Sequence, residues 1–107
     1  MYEVFRYQTA DGHEPLTEWL QSLRDTQTKA RILSRLDRLE TGNLGDIKLL
    51  REGVSEIRID CGPGYRVYFG MASKTVVLLL SGGDKRKQDA DIRRAIKYWQ
   101  DFKRRQK

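Results

Sequence analysis

Hydrophobic residues along this chain switch between two periods, and the switches mark out its elements. Tyr2, Val4 and Arg6 alternate with Phe5 and Tyr7, which predicts a first strand over residues 2–8, followed by a turn at Asp11-Gly12. Pro15 suits the first position of a helix, and Leu16, Trp19, Leu20 and Leu23 fall at i, i+3, i+4 and i+7, the stripe of a helix packed on one side. Asp25 or Thr26 can cap a second helix running to about Thr41, with Ile32, Leu33, Leu36 and Leu39 inward and Gly42 placed to end it. So short a connection makes the two an antiparallel helical hairpin. After a loop at Gly42–Gly45, Asp46–Leu50 predicts a strand carrying Lys48, and Val54–Gly70 predicts a β-hairpin turning at Cys61-Gly62-Pro63-Gly64. Thr75–Leu80 is an unbroken run of branched side chains suited to a strand buried on both faces, and Ser81-Gly82-Gly83 is expected to break it. From Gln88 a last helix carries Ile92, Ala95, Ile96, Trp99 and Phe102 on one side, and residues 104–107 are expected to fray. The order predicts a single α+β domain over residues 1–107 in two layers: an N-terminal strand, a helical hairpin, an antiparallel sheet of three to four further strands, and a C-terminal helix.

The central hairpin has a register that its own pattern selects. If Ile57, Ile59, Tyr65, Val67 and Phe69 all face one core, Ile59 lies opposite Tyr65 and Ile57 opposite Val67, because a slip of one residue would turn every one of them to water. Arg58 then faces Arg66. Like charges across a ladder destabilise it, so the pair needs an explanation. Either Glu56 and Asp60 on the same face neutralise a solvated charge patch, or the two guanidiniums converge on an external polyanion that arginine grips bidentately.

The charge distribution favours the polyanion. The formal net charge is +6, yet residues 1–84 hold 11 Lys and Arg against 12 Asp and Glu, while residues 85–107 hold 10 against three. The whole excess therefore sits in the last helix and the Lys85-Arg86-Lys87 cluster before it, the electrostatic footprint of a nucleic-acid binder and less readily of an anionic membrane. Arg31, Arg35 and Arg38 form a further stripe on the second helix, read as its wet face because Asp37 and Glu40 lie among them. A single cysteine, Cys61, cannot form an internal disulfide and fits a reducing cytoplasm. No apolar run exceeds Val76–Leu80, far below the ~20 residues of a spanning helix, so the expected protein is cytoplasmic with no membrane partner.

Several chemistries lack their residues. One histidine, His13, and one cysteine far from it give no zinc spacing, and Gly62-Pro63-Gly64 is no phosphate-binding loop, because Pro63 removes an amide and no lysine follows at the P-loop spacing. No cofactor is expected. What remains is a set of cations at strand ends and on one sheet face: Lys48, Arg58, Arg66, Lys85 and Lys87, with Arg86, Arg93, Arg94 and Lys97 around the start of the last helix. Preorganised cations can stabilise the charge of a pentavalent phosphorus transition state, and RNA brings its own nucleophile in the 2′-hydroxyl. A lysine crowded by other cations can also lose its proton near neutrality and act as a base.

Taken in order, Glu18-Trp19-Leu20, Gly42-Asn43-Leu44-Gly45-Asp46, Glu56-Ile57-Arg58, Gly64-Tyr65-Arg66-Val67, Lys85, Gln88, Asp91-Ile92 and Ala95 resemble the RelE/ParE superfamily of bacterial toxins, and its HigB-like, phage-associated branch of addiction-module killer proteins. The resemblance covers essentially the whole chain. It implies a microbial-ribonuclease-like fold and a toxin paired with an antitoxin, often a helix-turn-helix DNA-binding protein. It also implies ribosome-bound messenger RNA as the substrate in the nuclease members. Arg58 and Arg66 match sheet-face cations that grip the scissile phosphate, and Lys85 matches a cation after the last strand. Glu56 stands where some nuclease members have a lysine, and is either a base or the counter-ion of Arg66. The alternative within the superfamily is a gyrase-poisoning toxin that cuts no RNA.

Overall fold

Strand alternation and turn chemistry build the centre of the molecule, whose computed structural model describes residues 1–106. Strands β2 (Ile47–Arg51) and β3 (Val54–Ile59) meet at Glu52-Gly53. Both turn residues are left-handed, with φ of 56° and 83°, the conformation whose twist matches a two-residue hairpin. Strand β4 (Tyr65–Ser73) returns beside β3 in the register the pattern selects: Ile57 opposite Val67, Ile59 opposite Tyr65, Arg58 opposite Arg66. Strand β5 (Val76–Asp84) runs antiparallel to β4.

The first strand corrects the expected sheet. β1 (Glu3–Arg6) lies parallel to β5, pairing Glu3 with Val76 and Arg6 with Leu79. The result is one five-stranded mixed sheet in the order β1-β5-β4-β3-β2, where the sequence predicts an N-terminal strand and an antiparallel sheet of three to four further strands. Period-2 alternation carries no information about strand direction. Only the long path from β1 through the helices and hairpins lets a parallel neighbour form.

The layering differs too. Helix α1 (Pro15–Ser22) and helix α2 (Thr26–Asp37) send Leu16, Leu20, Ile32 and Leu36 onto Ile57, Ile59, Val67, Phe69, Val77 and Leu79. Asp25 caps α2 by accepting the Gln27 amide, and a 3-10 turn at Arg38–Thr41, closed by left-handed Gly42, completes the second helix. Helix α3 (Gln88–Arg105) covers the opposite face, where Ile92, Ala95, Ile96 and Trp99 meet Val54, Tyr68, Leu78, Leu80 and Tyr7. The arrangement is therefore helix, sheet, helix, not two layers. Val77 and Leu79 enter one core and Leu78 and Leu80 the other, which is what an unbroken apolar strand encodes. The same sandwiching buries part of the hairpin face that the pattern left to water.

β5 does not stop at Ser81. Gly82 pairs with Val67, Gly83 with Arg66 and Asp84 with Tyr65. A Cβ at Gly82 would lie 2.7 Å from Trp19 Cδ2, and one at Gly83 would lie 2.8 Å from Asp91 Cγ. These glycines let α1 and α3 approach the strand rather than ending it.

The helix α3 also holds its last turn. Arg105 donates to the Gln8 carbonyl at 2.6 Å and to Asp101 at 3.0 Å, and the Tyr7 hydroxyl donates to Asp101 at 2.5 Å, so Arg104 and Arg105 are helical rather than frayed; Lys107 lies outside the described residues. Among the described residues, no helix is long and apolar enough to cross a membrane.

Candidate functional site

The register assembles two rows of side chains on the α3 side of the sheet. Lys48, Glu56, Tyr68 and Ser81 are cross-strand neighbours in one row, and Arg58, Arg66 and Gly83 in the next. Glu56, only 1% exposed, lies between the arginines: its Oε2 is 3.5 Å from Arg66 Nε and 3.8 Å from Arg58 Nε. Gln88, at the start of α3, donates to the other Glu56 oxygen at 3.1 Å. Arg66 Nη1 also donates to the Gly64 carbonyl at 3.0 Å, which fixes that guanidinium at 13% exposure. Arg58 is 44% exposed and has Asp46 at 3.6 Å. The like-charge opposition is thus relieved by a single buried carboxylate shared between two guanidiniums. Asp60, expected to help, forms no ion pair among the described residues.

Lys85 joins this group through the end of β5. The pairing of Asp84 with Tyr65 sets it beside the hairpin turn. A Cβ at Gly64 would lie 3.5 Å from Arg66 Nη1 and 3.9 Å from Lys85 Cβ. Arg58, Arg66, Glu56 and Lys85 are therefore brought together, with Lys48 at the β2 end of the row.

The other predicted cations do not form one surface with them. Arg86 pairs with Asp84 at 2.9 Å, Arg94 with Asp91 at 3.1 Å, and Arg93 with Asp89. Arg86, Lys87 and Arg94 border a groove of about 540 Å³ between α1, the end of β5 and α3, with Trp19 and Tyr98 in its walls. Arg93 and Lys97 are exposed on α3. Several arginines of the last segment are therefore each held by an aspartate, although its cations still outnumber its acids by ten to three. Lys48, Lys85, Lys87 and Lys97 have no acid within 4.0 Å among the described residues.

Two titratable groups border the site without having been expected there. Burial pushes the Asp91 carboxyl up, with Arg94 opposing. Tyr68 has a fully buried hydroxyl with no hydrogen-bond partner, and burial, then Asp91 and Glu56, push its pKa up, so the ring stays neutral beside Glu56. The hydrogen bond from Gln88 likewise had no signal in the sequence, because the contact joins residues 32 apart through tertiary packing. His13 sits in an exposed loop against Glu18 at 2.7 Å. Cys61 is half-buried against the α1/α2 core. Among the described residues, no group of three or more His, Cys, Asp or Glu side chains is placed to hold a metal ion.

No family model matches the chain. Over 77 residues, 72% of this chain and 78% of the other, it is 49% identical to an uncharacterized protein of Haemophilus influenzae. The chain belongs to that protein's family. Its site has one chemical capability that geometry alone defines: two oriented guanidiniums sharing one buried carboxylate, with Lys85 beside their turn, a preorganised seat for an anion.

Proposed function

We propose that this protein is the toxin of a toxin–antitoxin pair and an endoribonuclease that cuts messenger RNA at the ribosome. The observation that carries the reading is the Arg58–Glu56–Arg66 arrangement. Two guanidiniums are forced opposite each other by sheet register and oriented by one buried carboxylate between them, so their donors are held in place before substrate arrives. In this reading the exposed edge of Arg58 and the free edge of Arg66 hold the non-bridging oxygens of the scissile phosphate. Solvent water takes the proton of the substrate's 2′-hydroxyl as that oxygen attacks phosphorus, a cyclic 2′,3′-phosphate forms, and the bond to the 5′-oxygen breaks. Lys85 gives the departing 5′-oxygen its proton. Charge accumulates on the phosphoryl oxygens in the transition state, where fixed cations stabilise it most.

The burial of Glu56 supports its role as counter-ion over its role as base. A carboxylate 1% exposed and held on three sides orients Arg58 and Arg66 and has no path to a 2′-hydroxyl. Partners in this reading are a cognate antitoxin, the ribosome and messenger RNA.

The test is induction of the protein in bacteria without a partner, with messenger RNA 5′ ends mapped against ribosome position. Cuts within translated regions that disappear in a folded Arg66→Ala variant are expected, with a loss of activity of at least about 100-fold, the scale for removing one donor to a developing oxyanion. A toxic Arg66→Ala variant that still cuts would sink the reading. Intact messages with arrested replication would move it to the gyrase-poisoning alternative.

A further inference from the structure

The arginine stripe of α2 is not simply a wet face. Arg31, Arg35 and Arg38 border a groove of about 560 Å³ between α2 and the β3–β4 hairpin, and Arg58 closes its far side, against two acids, Asp46 and Asp60. None of the three helix arginines has an acid within 4.0 Å among the described residues. The contrast with α3 is direct, since Arg93, Arg94, Arg104 and Arg105 each hold an aspartate on their own helix.

Arg35 is the most constrained of the three. Its Nη2 donates to the Leu44 carbonyl, its guanidinium packs on the backbone of left-handed Gly45, and its Nη1 is buried with no partner. Burial and then the charge of Arg38 weaken its hold on its proton, and Asp46 only partly offsets them. A half-buried guanidinium with an unmade hydrogen bond, crowded by a second, marks a place short of negative charge. The stripe runs along about 10 Å of helix axis, longer than one small anion needs. Arg58 belongs both to this groove and to the sheet-face site, which makes the two continuous.

We propose that this groove is a second phosphate-binding segment, which holds the backbone of the same single-stranded RNA that Arg58 and Arg66 grip on the sheet. The inference rests on the nuclease reading above and extends it: α2 sets the direction in which the strand leaves the cleavage point. An RNA strand brings one phosphate per nucleotide, which a row of unpaired guanidiniums on a rigid helix can take in succession.

The probe is a short fluorescent single-stranded RNA, 2′-O-methylated so that it cannot be cut, titrated by anisotropy across a range of salt. Arg31 on α2 and Arg38 in the 3-10 turn that follows it are both exposed, so the Arg31→Ala/Arg38→Ala variant should keep its fold, checked by circular dichroism. Its affinity at low salt should fall on the order of tenfold. Its slope of log affinity against log salt should shrink by about 1.4, two phosphates at roughly 0.7 each. A double variant that binds with wild-type affinity and slope while Arg66→Ala weakens binding would overturn the groove and leave the nuclease reading standing. Displacement of the RNA by poly-glutamate as effectively as by unlabelled RNA would overturn it in favour of an acidic protein partner. A wild-type protein that fails to bind the RNA would overturn it as well, whatever the mapping of cut messages shows.

Discussion

Glu56 holds the site together because of where alternation puts it. It shares a face with Arg58 and lies one cross-strand row from Arg66, so its buried carboxylate reaches both guanidiniums while Gln88 occupies its second oxygen. A buried charge that loses its partner is costly, and Arg66 is the more buried of the two arginines. Glu56→Gln keeps the shape and removes the charge, and should lower stability by about 2 kcal/mol in urea unfolding. On the proposed nuclease reading, the pH profile of cleavage should keep its form, since a counter-ion does not take the proton. Loss of the acidic limb of that profile in the variant would return Glu56 to the role of base. The confrontation of Arg58 and Arg66 was legible from a handful of apolar residues, because register is a parity argument. The clamp from Gln88 was not, because nothing local links the first turn of a helix to a strand more than thirty positions earlier.

β5 shows how the same kind of pattern misleads when glycine enters. The run Val76–Leu80 announced burial on both faces, and each residue goes where parity sends it. Gly82 and Gly83 read as punctuation, yet they extend the strand under Trp19 and Asp91. A glycine that ends a strand and one that makes room for a neighbour look alike until the neighbour is known. Gly82→Ala should cost about 1–3 kcal/mol, because the rigid Trp19 ring sits where the methyl must go. Gly83→Ala should cost less, since the Asp91 carboxylate at the end of a short side chain can turn aside. Equal losses in parallel thermal melts would count against this account. The missed third layer has a related cause: a strand buried on both faces implies cover on both, but the hairpin's Arg58 and Arg66 suggested open sheet, and they are indeed only partly covered.

Across the whole molecule, the first strand and last helix are fastened to each other. Tyr7 stacks on Tyr98 with ring centroids 5.1 Å apart and donates to Asp101, and Arg105 reaches the Gln8 carbonyl. Burial and the Asp101 contact push Tyr7 up to about 12, and the Tyr7 hydroxyl, followed by Arg105, holds Asp101 below the usual carboxylate range. A depressed acid contributes stability above its unfolded value near 3.9, lost as pH falls through the folded one; a raised tyrosine contributes below about 10, lost as pH rises through about 12. Tyr7→Phe should therefore lower the urea midpoint between about pH 5 and 9, with the gap to wild type closing at both extremes. A gap that is constant with pH would show that the hydroxyl acts only by packing. The parallel ladder between β1 and β5 has a consequence in time. The β1–β5 ladder and the Gln88–Glu56 contact join positions far apart along the chain, so both close late in folding, after the hairpins between them have formed. The clamped cation pair is thus completed late, when the last helix docks on a sheet whose hairpins are already made.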